Sequence, residues 1–281
     1  MLVAMPDYRY TSGISAKLLL LVALTCVAYG ICTDCIATSY HNEHKIVYPS
    51  DFRQILENDS NCVVAYVSNV APENSHYIKN SISIPSRKFL DENKKLRPIN
   101  ELAAIFGSAG ISENDSVVLY GDCFNCGDPT FVCWIMRYLG HEDIKLLAGT
   151  TADWTAAGIP MQKTISSRQA TEYKANPEHK LLANYDYVKN GDIQILDARD
   201  AATFAKGHIN GATNFPYTKV IGNGWLKDQM ALEEVFNGLD KEKPIIVYTK
   251  RGGQASIVWF ALQLQEYDAC LYSWGNWMAR Q

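Results

Sequence analysis

The feature that most constrains this chain is an internal repetition. In the first half, V-V-L-Y (117–120) enters a loop, followed by P-T-F-V-C-W-I-M-R-Y-L-G-H and then I-K-L-L-A-G-T-T-A-D-W, ending at Trp154. In the second half, I-I-V-Y (245–248) enters a glycine loop, followed by an apolar stretch at 255–265 and by A-C-L-Y-S-W-G-N-W, ending at Trp277. Upstream, I-K-N-S-I-S-I-P (78–85) is matched by I-N-G-A-T-N-F-P (209–216). Tyr120 and Tyr248 stand 128 positions apart, and Pro85 and Pro216 stand 131 apart, so the copies differ by a few loop residues.

Each copy alternates short β-branched runs with helical patterns. Strands are expected at 62–67, 116–120 and 144–147, with helices at 100–107, 129–139 and 151–157. The second copy predicts strands at 193–197, 244–248 and 269–272, with helices at 228–238 and 255–265. Such alternation implies an α/β fold, each unit a parallel sheet covered by helices on both faces. At 281 residues the chain is long enough for two such cores. The expected organisation is a first domain at 46–161, a polar linker at 162–180 and a second domain at 181–281.

In folds of this class ligands gather at the carboxyl ends of the strands. There the second copy carries Thr249-Lys250-Arg251-Gly252-Gly253-Gln254. Two adjacent glycines let the backbone turn sharply into a helix, aiming successive N–H groups into a bowl suited to an anion. Lys250 and Arg251 put two cations on its rim. The equivalent first-copy loop is G-D-C-F-N-C-G-D (121–128), with Asp128-Pro129 reading as an N-cap and first helical residue. Cys123 and Cys126 thus precede a helix N-terminus, which favours thiolates, while Asp122 and Asp128 oppose them. A dithiol there could close into a disulfide, carry a persulfide or bind metal, and the first, or inert thiols, is the favoured reading. Spacing alone would also allow one zinc site shared with Cys32 and Cys35, but no metal or other cofactor is expected.

Cys62, Cys133 and Cys270 sit in apolar runs and are expected to be buried. Residues 18–33 form a run of sixteen uncharged, mostly apolar residues after Lys17. As a helix it would reach about 24 Å, short of a relaxed span. A basic flank and small residues before Ile31 fit an export signal cleaved after Gly30, or an uncleaved anchor, so residues 1–35 are expected to meet a membrane. The net charge of −4, without a basic cluster, excludes a nucleic-acid partner. The sequence indicates no particular protein partner.

The second copy resembles a known family. L-D-A-R-D-A-A-T-F-A-K-G-H-I-N-G-A-T-N-F-P (196–216) looks like the signature segment of rhodanese domains, and V-Y-T-K-R-G-G-Q-A-S (247–256) like their active-site loop. V-V-L-Y-G-D, Y-L-G-H-E-D-I-K-L-L-A-G and the terminal W-G-N-W extend the likeness to tandem-domain thiosulfate or mercaptopyruvate sulfurtransferases. The resemblance implies two rhodanese-like domains after the hydrophobic segment, the first a degenerate copy. It implies transfer of sulfane sulfur from a small anion such as thiosulfate, through a persulfide on a cysteine at the strand end. Here that position is Thr249, whose hydroxyl does not ionise near neutrality and cannot carry the sulfur. By the same resemblance Asp197 and Arg199 are the acid–base pair supporting the loop, Arg199 also facing substrate, and His208 is a structural histidine. In the first copy Tyr66, Ser68 and Tyr77 stand in those three places. The resulting expectation is a sulfurtransferase-like protein whose persulfide chemistry is lost at residue 249. The alternatives are a non-catalytic anion- or partner-binding module, or sulfur carriage on Cys123 and Cys126. A phosphatase reading fails because neither loop supplies a cysteine followed by a phosphate-clamping arginine.

Overall fold

The apolar runs of each half pair side by side as parallel strands. In this computed structural model, which describes residues 42, 45–58, 61–71 and 76–280, two separate sheets result. The first half contributes β1 (Ile46–Val47), α1 (Pro49–Asn58), β2 (Val63–Tyr66), β3 (Ile82–Ser83), α2 (Ile99–Ser108), β4 (Val117–Tyr120), α3 (Asp128–Tyr138), β5 (Ile144–Leu147) and α4 (Thr151–Ala156). The second contributes α5 (Tyr185–Asn190), β6 (Gln194–Asp197), α6 (Ala201–Ala205), β7 (Thr213–Asn214), α7 (Gln229–Phe236), β8 (Ile245–Thr249), α8 (Gly253–Leu264), β9 (Ala269–Ser273) and α9 (Trp274–Met278).

The strand order is β1-β5-β4-β2-β3 in the first sheet and β9-β8-β6-β7 in the second, all parallel. These are the same order, with β5, β4, β2 and β3 matching β9, β8, β6 and β7. Where β1 adds a fifth strand to the first sheet, the second has a single parallel bridge between Leu182 and Leu271. The repeat also extends to a side chain. The Tyr120 hydroxyl accepts the N–H of Ile78 at 3.0 Å, and the Tyr248 hydroxyl accepts that of Ile209 at 3.1 Å.

Alternation along the strands divides the apolar residues into layers. Val63, Ala65, Val117 and Leu119 share one core with Leu196, Ile245, Val247 and Leu271, together with residues of α2, α3, α7 and α8. The other strand faces pack outward in two separate cores. Val64, Tyr66, Val118 and Tyr120 lie against Phe52 and Trp154, while Ile195, Ile246, Tyr248 and Tyr272 lie against Val188. The shared middle core holds α3 and α8 between the sheets, so the loops leading into those two helices meet.

The long elements fall where the patterns place them, within a residue or two at most ends. The polar stretch at 162–180 is not a free tether. Gln162 pairs with Tyr77, Thr171 donates its N–H to Gly107 at 2.9 Å, and Asn176 donates to Leu139 at 2.9 Å. Tyr173 is buried, its ring beside Phe106 and its hydroxyl 3.1 Å from His141. The connector is therefore a covering layer of the first half. Cys133 and Cys270 are buried, whereas Cys62 is only partly covered. The expected export segment at 18–33, with Cys26, Cys32 and Cys35, lies outside the described residues. Among the described residues no helix is long and apolar enough to cross a membrane.

Candidate functional site

Thr249 is the last residue of β8 rather than the first of the loop, because it still pairs with Ser273 of β9. Only 3% of it is exposed, and its Oγ1 accepts the N–H of Gly252 at 3.0 Å. One of the donors expected to line the anion bowl is thus used inside the loop. Gly252 has φ +90°, and a Cβ there would lie 2.9 Å from the Phe131 ring, so the turn requires glycine on both counts. Gly253 opens α8, whose leading N–H groups lack intrahelical partners. Lys250, Arg251 and Gln254 are exposed around this turn.

Behind the loop, Asp197 is fully buried and ends β6 beside Tyr248. Its Oδ1 accepts Arg199 Nε at 2.8 Å and the Arg199 backbone N–H at 3.0 Å. Its Oδ2 accepts the Tyr248 hydroxyl at 2.6 Å and a further short bond from Arg199 Nη2. Nη2 also donates to the Gly207 carbonyl at 2.8 Å. Hydrogen bonding to Asp197 raises the Arg199 pKa further, and burial together with Asp197 holds the Tyr248 phenol far above its ordinary value. The guanidinium is thereby fixed, with its charge largely matched by Asp197. His208 is exposed, stacked on Phe204 with centroids 3.8 Å apart, and its Nδ1 lies 3.1 Å from the Phe204 carbonyl. It braces the turn after α6 and does not line the loop cavity.

The first-half loop has different chemistry in the same place. Cys123 and Cys126 are joined in a disulfide, so in this state neither is a thiolate nor a persulfide carrier. The N-cap of α3 is Gly127, not Asp128. Asp128 lies inside the first turn and accepts the Ser86 hydroxyl at 2.5 Å and the Asn69 amide at 3.2 Å. Burial raises the Asp128 pKa and these two bonds oppose the rise. Asp122 accepts the Tyr66 hydroxyl at 2.8 Å. Tyr66 faces Tyr120 in register as Asp197 faces Tyr248, which places a phenol where the second half has a carboxylate.

The two loops touch. Gly127 has φ +78°, and a Cβ there would fall 2.3 Å from the Gly253 carbonyl oxygen. One turn on, the Thr130 and Ser256 hydroxyls lie 2.8 Å apart, and each is also within hydrogen-bond reach of a carbonyl of its own loop. Thr130 reaches Gly127 at 3.0 Å and Ser256 reaches Gly253 at 2.6 Å. Since one hydroxyl proton cannot serve two acceptors at once, only one of the two can donate across the seam while the other donates to its own loop. The N-terminal turns of α3 and α8 therefore meet.

This contact opens a cavity of about 430 Å³ lined by Cys126, Arg199, Thr249, Lys250, Arg251 and Gln254. It unites residues predicted from both loops. Asp200 and Thr203 also line it and were not anticipated there. Asp200 caps α6, its carboxylate accepting the Thr203 N–H at 2.8 Å and hydroxyl at 2.7 Å. Only the D-x-x-T spacing of a helix cap signals that pairing in the sequence. Among the described residues no group of three or more His, Cys, Asp or Glu could hold a metal ion.

Fold and site together define a two-sheet α/β protein with a glycine loop, rimmed by Lys250 and Arg251, at the seam of two similar halves. The sequence profile of the Rhodanese-like domain matches residues 183–279. The chain is 30% identical over 195 residues to the 3-mercaptopyruvate sulfurtransferase of Escherichia coli, covering 61% of this chain and 68% of that protein. It is 27% identical over 210 residues to the sulfur carrier protein TtuD of Thermus thermophilus, covering 63% and 73%. The crystal structure of SseA from Escherichia coli, a 3-mercaptopyruvate sulfotransferase with the rhodanese fold, superposes with a TM-score of 0.73 at 21% identity, covering 82% of this chain and 98% of that one. The chain belongs to the rhodanese family, and its relatives make it sulfurtransferase-like.

Proposed function

We propose that this protein binds small sulfur-containing anions such as thiosulfate in the cavity between its two loops, without forming a persulfide at residue 249. The carrying observation is that Thr249 occupies the strand end, its Oγ1 tied to Gly252, in a cavity that retains Lys250, Arg251 and Arg199. The turn into α8 and the charges of Lys250 and Arg251 support anion binding there. A hydroxyl cannot take up sulfane sulfur there. Charge-assisted hydrogen bonds contribute roughly 1.5–3 kcal/mol each before desolvation losses, so the expected affinity is millimolar.

The relatives' names support thiosulfate and mercaptopyruvate as the ligand class. The reading includes export, directed by residues 18–33 through a cleaved signal or an anchor. An oxidising compartment accords with the Cys123–Cys126 disulfide. Thiosulfate titration followed by calorimetry or NMR tests the site. Saturable millimolar binding that weakens at least several-fold in Lys250→Gln/Arg251→Gln is expected, and absence of binding would refute it. Fractionation of native cells tests the export, which recovery of the full-length chain from the soluble cytoplasm would contradict.

A further inference from the structure

Three groups of sulfur atoms differ sharply in their reach to this cavity. Cys133 and Cys270 are buried, and burial pushes both thiols up to about 12. Cys62 lies at the start of β2, away from the loops. The exposed Cys123–Cys126 pair alone among the described cysteines adjoins the cavity, through Cys126. We propose that this disulfide is an exchange site for small sulfur-centred anions, sulfite being the simplest, delivered through the cavity shared with Lys250 and Arg251.

The inference rests on the anion-binding reading and adds chemistry to it. The disulfide loop is acidic in sequence, but neither Asp122 nor Asp128 lines the cavity. Asp128 is bonded to Ser86 and Asn69, and Asp122 to Tyr66. The carboxylate that does line the cavity, Asp200, is held ionised by its bonds from Thr203, one negative charge against the two cations Lys250 and Arg251. Facing them across the seam are Lys250, Arg251 and the N-terminal turn of the twelve-residue α8. The field at Cys126 therefore favours an approaching anion over a neutral nucleophile.

The step balances without a further reagent. The sulfite sulfur attacks Cys126 Sγ, the S–S bond breaks, and its electron pair leaves on Cys123 Sγ. The products are an S-sulfo group on Cys126 and a thiolate on Cys123, which takes a proton from water. The disulfide is the oxidant, and the sulfite sulfur is what it oxidises.

The full chain is incubated with sodium sulfite, quenched with acid, alkylated and measured by intact mass and peptide mapping. One sulfite group on Cys126 and one alkylated Cys123 are expected. In Lys250→Gln/Arg251→Gln the sulfite rate should fall about tenfold, while reduction by the neutral tris(hydroxypropyl)phosphine stays within about twofold of wild type. No adduct, an adduct confined to Cys123, an unchanged sulfite rate in the double variant, or an equal fall with both reagents would each overturn the proposal. Sulfite that protects the wild type from thermal unfolding without forming an adduct would overturn the exchange step and leave the anion site standing. Neither protection nor adduct would remove both.

Discussion

The two loops at the seam share a backbone plan and differ in what it carries. Gly127 and Gly252 each precede a helix at positive φ, Thr130 and Ser256 meet across the seam, and both loops lead into long helices held in one core. The second loop is ringed by Lys250 and Arg251 and backed by a buried ion pair, Asp197 with Arg199. The first is closed by a disulfide, flanked by acids, and backed by Tyr66 where the carboxylate would be. The same frame, held by α3 and α8 in one core, carries different chemistry in the two loops. Phe124 of the first loop joins that core, whereas Lys250, Arg251 and Gln254 of the second are exposed.

The largest effect should come from breaking the buried pair. Asp197→Ala removes the buried carboxylate to which Arg199 and Tyr248 donate, and should cost about 3–5 kcal/mol in chemical denaturation. In the first half, Tyr66→Phe removes the hydroxyl's bonds to Asp122 and to the Val70 carbonyl and should cost about 1 kcal/mol. Equal losses would mean that the first half hides a network comparable to the second.

Thr130→Val and Ser256→Ala each break the hydroxyl pair across the seam. Each should cost about 1 kcal/mol, and the double variant less than the sum. Full additivity would show that the two hydroxyls do not depend on each other.

A smaller effect separates the halves by pH. His141 is fully buried in the first half, bonded to Tyr173 and to the Asp115 carbonyl, and burial lowers its pKa from the usual 6.5. The unfolded chain then takes up a proton below about pH 6.5 that the folded chain refuses. This contribution to stability is whole above that pH and is lost as the pH falls toward the lowered folded value. Urea midpoints should decline over that window in wild type, and less steeply in His141→Asn.

The repeat made much of this legible. The apolar runs at 117–120 and 245–248 and the helices after them are long enough for their period to be read, and the offset near 130 aligned the rest. Two-residue strands such as β3 and β7 carry no period, and α5 and α6 are too short to display a face. The loop residues Thr249, Lys250 and Arg251 were readable because glycines marked the turn between strand and helix. Asp128 was not. Its place before Pro129 looks like a cap, but the neighbouring Gly127 adopts φ +78° and takes that position, freeing the carboxylate for Ser86, 42 residues away. Nor could the meeting of Thr130 with Ser256 be read, since it depends on how two helices pack.

The central claim is that the second loop kept its bowl and lost its nucleophile. It is tested most directly by placing Thr249→Cys in a Cys123→Ser/Cys126→Ser background, incubating with thiosulfate and measuring intact mass with peptide mapping. The account predicts a gain of one sulfur atom at residue 249, and none in the same background with Thr249 intact. A folded variant that never takes up sulfur, or uptake with Thr249 intact, would contradict it.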